Sequence, residues 1–484
     1  MNYVRRAKTR AKMYAVRHVL GQMAKMLASA SDEDLVRLTR FAERFMITDS
    51  QKQYVRETRA MFEHGHPGMN MIRNLLSRDI HPNYYWNLVV NLFTNAMFVG
   101  HGTRKEILAR EGVMPPFFIV ISPTMRCNLR CYGCYAGEYD KTEGLDLDTV
   151  SRILSEAQEM GIHFITISGG EPFYYEGLLD LFEKHHDLCY QIYTNGTLID
   201  DKVTERLVSL GNAAPAISVE GYEAETDARR GKGTYKKVCD AMARLKEAKA
   251  MFGFSATVTR NNADLLSSDE FVDTMIDRGC SFGWYFIYIP IGREPQLDLM
   301  PTPEQRDMLR QRVREMRETK PILVADFWND GPLVGGCISG GRRYLHINSK
   351  GDVEPCVFVH FAVDNIKEKS LMEVIKSPFF AAIRERQKRN NEKNLLRPCM
   401  IIDHPETLRQ TVEEFSAYPT HEGAETLITV MADHLDQYSE EYGKLADEAW
   451  KSYGKKDIWT RDLWNAVVAE EEKMAEDQNL AAGD

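Results

Sequence analysis

Three cysteines fall within eight residues, Cys127-Asn-Leu-Arg-Cys131-Tyr-Gly-Cys134, at a Cys-x3-Cys-x2-Cys spacing. Three thiolates on one tight loop can hold three irons of a cubane [4Fe–4S] cluster and leave the fourth iron open to a ligand from outside. Zinc is the competing reading. Structural zinc takes paired Cys-x2-Cys knuckles with two further ligands nearby, and no second pair follows here. Three incidental buried cysteines are the bland alternative. The apolar, β-prone stretch 117–124 hangs the loop on the end of a strand. Gly169-Gly170-Glu171-Pro172 follows one strand later. Its glycines let the backbone approach a ligand, and Glu171 can accept from an ammonium.

The bulk numbers exclude much. At 484 residues the chain is too long for one small core, and two or three domains are expected. Hydrophobic content of 43% with 27% charged residues is that of a soluble globular protein. A formal charge of −10 argues against a general nucleic-acid binder. The charge is uneven: residues 1–31 carry seven Lys/Arg and no acid, and after His404 nineteen acids face seven bases. Nine cysteines in a long chain without a signal peptide read as cytoplasmic thiols or metal ligands, not disulfides. The longest apolar stretch, 84–99, is too short and too rich in asparagine to span a bilayer.

Residues 1–115 read as a helical domain. Met13, Val16, Leu20, Met23 and Leu27 recur at steps of three and four, so a first helix has one apolar face. Arg6, Arg10, Arg17 and Lys25 make the other face basic. Such a helix suits a peripheral contact with an anionic membrane or docking on the rest of the protein with its charges solvated. Leu35, Leu38, Phe41 and Phe45 mark a second helix, with Ser31 or Asp32 as N-cap. Within 84–99, Asn87, Asn91 and Asn95 form one polar stripe. A buried helix with its amides satisfied is the plain reading; a lid or tunnel wall for a greasy substrate is the sharper one.

Pro115-Pro116 ends this region. Strand candidates then follow at 117–122, 163–168, 190–194, 214–220, 254–259 and 284–290. Helical stretches near 146–160, 176–186, 201–210, 234–250 and 266–278 separate them. Six β/α units in a row indicate a parallel sheet with crossover helices. Periodicity alone does not separate a curved open barrel from a flat doubly wound sheet. In either, chemistry gathers at the carboxyl ends of the strands. There fall the cysteine loop, Gly-Gly-Glu-Pro, Tyr193-Thr194-Asn195-Gly196, Ser218-Val219-Glu220-Gly221 with Arg229-Arg230 after it, Thr257 with Thr259, and Ile291-Gly292-Arg293. Each polar tip alone is more often a cap or turn residue. Their recurrence at successive strand ends points to one shared site.

The cysteine loop followed by Gly-Gly-Glu-Pro resembles the radical S-adenosylmethionine (SAM) enzymes, closely over 116–290 and more loosely to about residue 405. The resemblance implies a partial (β/α)6 TIM-like barrel over 116–300. It implies a [4Fe–4S] cluster on Cys127, Cys131 and Cys134 whose open iron chelates the amino and carboxylate groups of SAM. One electron, from a reductant such as flavodoxin or ferredoxin, then cleaves SAM to methionine and a 5′-deoxyadenosyl radical. That radical abstracts hydrogen from an unactivated carbon. By the same resemblance Gly169, Gly170, Glu171 and Pro172 receive the methionine amine, and Thr194 and Asn195 belong to the SAM pocket. Ser218 and Glu220 face its ribose and methionine part. An arginine, Arg230 in preference to Arg229, pairs with its carboxylate. One departure is visible. The family has an aromatic or bulky residue before the third cysteine, where this chain has Gly133; Tyr132 or Tyr135 is expected to take over packing against adenine.

A charged helix, 303–320, leads into a third region, 301–405. Cys337-x13-Gly351-x4-Cys356, with Cys399 beyond, resembles the SPASM or twitch extension that binds auxiliary [4Fe–4S] clusters. Segments 344–347 and 353–356 form the hairpin that holds two of the thiolates. Three cysteines support one auxiliary cluster at most. The candidates for its fourth ligand are Asp330, His360, Asp403, His404 or the substrate itself; loss of the cluster, with structural cysteines, is the alternative. Cys189, Cys239 and Cys280 read as core residues, although one could serve as a hydrogen donor to a substrate radical. Residues 406–484 read as an acidic helical tail that Trp450, Trp459 and Trp464 pack onto the body.

Three functions compete. The first is a radical SAM oxidoreductase or maturase that modifies a peptide or protein, the usual substrate of SPASM-bearing relatives. The second is a radical SAM enzyme acting on a lipid or isoprenoid at the membrane surface, motivated by the basic first helix and 84–99. The third is a non-catalytic iron–sulfur sensor or scaffold. The intact tips Glu171, Asn195 and Ser218 argue against the third, because a sensor needs no SAM pocket.

Overall fold

A computed structural model of the protein describes residues 31–44 and 78–456, with positions 52, 55, 56, 59 and 63 between them. The basic first helix from Met13 to Leu27, Phe45, Trp459 and Trp464 lie outside the described residues. The second helix spans Asp32–Glu43. Ser31 caps it: its Oγ accepts from Asp34 N at 3.2 Å while Asp34 Oδ2 accepts from Ser31 N at 3.1 Å.

A single ten-stranded sheet carries the body, in the order β11-β9-β8-β1-β2-β3-β4-β5-β6-β7. Strands β1 (Phe118–Ile121), β2 (Phe164–Ile167), β3 (Cys189–Thr194), β4 (Ala213–Ser218), β5 (Gly253–Val258) and β6 (Phe282–Ile287) pair in parallel. Buried apolar residues predominate in each, as a sheet covered by crossover helices requires. Those helices include Leu147–Glu159, Leu178–Lys184, Asp201–Leu210, Thr234–Glu247 and Asp269–Asp277. The sheet extends further than the six units expected. β7 (Leu323–Asp326) pairs in parallel with β6. Its apolar run is closed at once by Asp326.

On the other edge, β8 (His346–Ile347) pairs in parallel with β1, and β9 (Asp352–Glu354) returns antiparallel to β8. This is the hairpin expected near the second cysteine set. It is shorter than its sequence suggested, and it continues the central sheet. Beyond it lie β10 (Phe361–Ala362), β11 (Asp364–Asn365) and β12 (Tyr418–Pro419).

The apolar segment 84–99 lies within a continuous helical run, Pro82–Asn87, Leu88–Val99 and Gly100–Glu111, of which the middle part is wound in wider π-type turns. Its asparagine stripe docks the run on the barrel. Asn87 Nδ2 donates to Leu210 O at 3.1 Å, Asn91 Nδ2 to His186 O at 2.7 Å and Leu188 O at 3.2 Å, and Asn95 Nδ2 to Asp187 O at 3.3 Å. These carbonyls precede β3 and β4, so the run crosses the amino-terminal ends of the strands. The lid or tunnel wall reading is corrected on that ground, since the strand-end motifs lie at the opposite end.

One buried ion pair ties the carboxyl-terminal helices to the body. Arg306, on helix Pro303–Thr319, meets Asp403 at 2.7 Å and 3.1 Å with both partners wholly buried. Its guanidinium also lies 3.6 Å from the Tyr442 ring, on helix Ala432–Lys456. Trp450, on the same helix, packs against the core as expected. Removing one partner of such a pair leaves an uncompensated buried charge. Arg306→Met is therefore expected to lower unfolding stability by about 3–5 kcal/mol in urea titrations. The double variant Arg306→Met/Asp403→Leu should recover most of that loss. Equal stability of Arg306→Met and wild type would refute this account of the joint.

Candidate active site

The cysteine loop leaves β1 at Ser122 and is held in place mainly by backbone contacts. Gly170 N donates to Thr124 O at 3.0 Å, and Glu171 N donates to Arg126 O at 2.8 Å. A Cβ on Gly170 would lie 2.4 Å from both Arg126 O and Met125 O; one on Gly169, at φ +122°, would lie 2.3 Å from Thr124 O. The two glycines thus permit close approach to the cysteine loop itself, a constraint the sequence did not separate from approach to a ligand.

From the other side Arg293, just beyond β6, clamps the same loop. Its backbone N donates to Cys134 O at 3.0 Å, and its guanidinium reaches Cys131 O and Gly137 O, each at 3.1 Å. Sequence reasoning named Arg293 without a role. Its signal was an arginine directly after a strand-end glycine, among residues otherwise apolar.

Glu171 is completely buried. It accepts from Thr194 Oγ1 at 2.6 Å, Asn195 N at 2.7 Å and Phe173 N at 3.2 Å. Burial pushes its carboxyl above the ordinary range, against the pull of those hydrogen bonds. Pro172 opens the short turn Pro172–Tyr174 that follows. Asn195 Nδ2 reaches Asn128 Oδ1 at 2.8 Å and approaches Cys127 Sγ at 3.8 Å. The tips of β2 and β3 therefore meet the cysteine loop as one unit.

The tip of β4 adds a buried charge cluster. Glu220 Oε1 accepts from Arg229 Nη1 at 2.7 Å and from Arg230 Nε at 2.8 Å. Burial alone would raise the Glu220 carboxyl, but the two arginines outweigh it and hold it below the usual carboxylate range. The carboxylate facing Arg230 here is thus the protein's own. Two guanidiniums share the Glu220 carboxylate beside the loop, and Arg230 also acts on the buried Glu171. Arg229 also donates to Thr257 Oγ1 at 3.0 Å and Gly133 O at 3.3 Å, while its Nε is buried without a hydrogen-bond partner. Ser218 ends β4, half-buried.

Gly133 adopts φ +60°, and Tyr288 fills the space where its side chain would stand, its Cε2 lying 2.6 Å from an added Cβ. Tyr135, one of the two expected substitutes, is tied instead to Ser168 Oγ at 2.7 Å and packs on Phe358. The aromatic ring against Gly133 comes from beyond β6, a long-range exchange that no local spacing could reveal.

These residues fit an iron–sulfur cluster with SAM. Burial pushes the Cys127 thiol up to about 11 and raises Cys134 as well. Thiols so placed become ligands only against a strong positive charge, and binding metal releases their protons. The unpartnered, buried Arg229 Nε suits a further acceptor or added negative charge.

Cys337, Cys356 and Cys399 line a second, small cavity together with Phe327, Trp328 and Ile401. Hydrogen bonds already converge on their sulfurs: Tyr344 Oη to Cys356 at 2.8 Å, Ile401 N to Cys399 at 3.3 Å, and a Ser339 Oγ contact to Cys337 at 3.0 Å. Burial pushes the Cys356 thiol up to about 12. Three such sulfurs in an otherwise apolar cavity fit a cluster. None of the four expected nitrogen or oxygen ligands lines the cavity. Asp330 pairs with Arg317, Asp403 with Arg306, His360 bonds His421 and Val357 O, and His404 Nδ1 faces Glu406 at 3.6 Å. Cys189 and Cys280 are buried and Cys239 half-buried, within the barrel.

Gly170→Ala is expected to displace the first loop and leave the second cavity untouched. Anaerobically reconstituted, the variant should keep roughly half of the wild-type iron, as should Cys127→Ala/Cys131→Ala/Cys134→Ala. Full iron content in Gly170→Ala would show that the close contact is dispensable.

Residues 121–272 match the model of the radical SAM superfamily, and residues 337–400 match that of an iron–sulfur cluster-binding domain, SPASM. The chain is 26% identical to the PqqA peptide cyclase of Granulibacter bethesdensis over 317 residues, 61% of this chain and 81% of that protein. It is 30% identical to the mycofactocin maturase MftC of Mycolicibacterium smegmatis over 304 residues, 57% of this chain and 74% of that one. The crystal structure of Streptococcus suis SuiB bound to S-adenosylmethionine shares the fold, with a TM-score of 0.53 and 18% identity over 73% of this chain and 88% of that one. The matched domains carry [4Fe–4S] clusters and bind SAM, and the protein is an enzyme. The chain belongs to the radical SAM superfamily, in the part of it that joins the barrel to a SPASM iron–sulfur domain.

Proposed function

We propose that the protein is a peptide-modifying radical SAM maturase, which takes hydrogen from an unactivated carbon of a polypeptide substrate. The carrying observation is the pairing of the two cysteine sites on one sheet, in a chain 26% and 30% identical to relatives named as a peptide cyclase and a maturase. Cys127, Cys131 and Cys134 would hold one [4Fe–4S] cluster, and Cys337, Cys356 and Cys399 the other. Bound at the first site, the cluster supplies the electron, and SAM the 5′-deoxyadenosyl radical, that this chemistry requires.

The chain's own residues position and insulate. Gly170 and Arg293 fix the loop from two sides. Glu171, braced by Thr194 and Asn195, presents a fixed acceptor beside Cys127, and Gly169 and Pro172 frame its turn. Arg229 and Arg230 supply the cationic side of the pocket next to Ser218 and Glu220. Burial of these groups strengthens each interaction by excluding water. Among the described residues no helix is long and apolar enough to cross a membrane.

The substrate class is tested with labelled material. Extract from cells grown on deuterated amino acids and deuterated acetate is split into a peptide fraction and a lipid fraction. Each is incubated with reconstituted protein, SAM and dithionite. Deuterium is expected in 5′-deoxyadenosine with the peptide fraction, to be lost after protease treatment and absent with the triple cysteine variant. Transfer from the lipid fraction alone would replace the peptide reading with the lipid one.

A further inference from the structure

Beyond residue 400, where the match to the SPASM domain ends, a strap at 418–424 runs between helix Pro405–Glu414 and helix Ala432–Lys456. Its residues Tyr418 and Pro419 pair antiparallel with Ala362 and Phe361, and Thr420 N donates to His360 O at 3.0 Å. The next residue, His421, meets His360 ring to ring. His360 Nδ1 and His421 Nε2 lie 2.6 Å apart, and both side chains are buried.

The other nitrogen of each ring fixes its tautomer. His360 Nε2 faces Val357 O at 2.9 Å, and His421 Nδ1 faces Glu422 O at 2.8 Å. A carbonyl only accepts, so both of those nitrogens carry hydrogen. In two neutral imidazoles the remaining nitrogens would then be two lone pairs, opposed at hydrogen-bond distance. One proton between them turns that repulsion into a charge-assisted hydrogen bond. A zinc ion does not fit in its place: two nitrogens each about 2.0 Å from one zinc at a tetrahedral angle stand about 3.3 Å apart.

The surroundings suit one positive charge and no more. The titratable groups that face the pair are Tyr135 and Tyr139 from the cysteine-loop segment, His346 on β8 and Glu354 on β9; Glu422 on the strap is exposed. Burial would raise the Glu354 carboxyl, but His346 and then His360 outweigh it and hold it below the usual range. Tyr139 donates to Glu354 Oε1 at 2.7 Å and lays its ring beside both imidazoles, with centroids 5.0 Å from His360 and 4.7 Å from His421. Burial first, and then a charge on His421, pushes His360 itself down to about 3, against the pull of Glu354. The pair therefore takes one proton and not two.

We propose that His360 and His421 share a single proton that latches the strap onto the body, and that rising pH opens the latch by removing it. With the proton present, the pair acts together with the Thr420 bond and with Tyr418 Oη, which donates to Asp352 Oδ1 at 2.8 Å. Without it, two lone pairs oppose each other in the middle of these ties. The stabilisation is thus present while the pair is protonated and lost as pH rises through its titration. What the strap covers is the joint between the two cysteine segments. Tyr135 directly follows Cys134, Phe358 lies two residues after Cys356, and their rings meet at 5.4 Å beside His360. An open strap leaves that joint less firmly held.

The test follows the reconstituted full chain by hydrogen exchange, corrected for intrinsic rates, from about pH 6 to about pH 9. Protection of 418–424 is expected to fall about tenfold across this range while that of β3 stays level. His421→Gln replaces the shared proton with an amide N–H that can donate to His360 Nδ1 at any pH, so protection should remain and its pH dependence disappear. His421→Phe should lose the protection at every pH. With isotope-labelled histidine, the wild type should show a far-downfield imidazole proton at the low end of the range, absent from both variants. Protection that stays level in the wild type, or that falls equally in His421→Gln, would overturn the proposal. So would the nitrogen shifts of two neutral imidazoles at about pH 6.

Discussion

The close approach of two backbones governs the site. At Gly169 and Gly170 the chain passes so near residues 124–126 that a Cβ would fall inside carbonyl contact. That approach lets two backbone hydrogen bonds join the exit of β2 to the exit of β1. Glu171 follows at once, so the same contact sets where its carboxylate stands relative to Cys127. Its bonds to Thr194 and Asn195 carry the geometry on to the tip of β3, and Asn195 returns it to Asn128 on the cysteine loop. A closed circuit of short bonds thus fixes the loop, and with it the place of the three thiols.

The second cysteine site depends on the same strand. β8 pairs with β1, and Ser122 N extends that pairing to Ile347 O at 2.8 Å. A buried polar chain then crosses between the two regions. Ser122 Oγ meets His346 at 2.8 Å, His346 bonds Glu354, and Glu354 accepts from Tyr139 at 2.7 Å, five residues beyond Cys134. Buried networks of this kind stabilise one arrangement because every member left unpaired is costly. The SPASM hairpin is therefore built into the barrel's sheet. Displacing it would break pairing at β1, the strand that carries the first loop.

Much of the site was legible because its chemistry is local. Cys127, Cys131 and Cys134 share one loop, and Gly169 to Pro172 one turn, so spacing alone displayed them. The six barrel strands were equally legible, being apolar runs separated by helical periods. What stayed hidden depends on contacts far apart in sequence. Tyr288 filling the space over Gly133 and Arg293 clamping the loop carbonyls both join residues separated by many positions. β7 was missed, its apolar run closed at once by Asp326, whereas the β8 hairpin was expected and is merely shorter than its sequence suggested. The asparagine stripe was visible, but only the carbonyls of His186, Asp187, Leu188 and Leu210 reveal that it docks a helix at the closed end.

Charge shows how one acidic chain can serve two sites that gather negative charge. The net charge of −10 disfavours anionic ligands at long range. Locally the sign is reversed at both cysteine sites, by different means. At the first, Arg229 and Arg230 are buried against the single carboxylate of Glu220, with Arg293 beneath the loop. Buried cations are screened little by salt, so their field persists where thiolates and a carboxylate-bearing ligand must be held. At the second site Arg342 sits at the surface with its guanidinium spread over backbone carbonyls, and the neighbouring helix adds exposed charge. Surface cations are screened strongly and act chiefly on encounter. The first arrangement suits a ligand that stays.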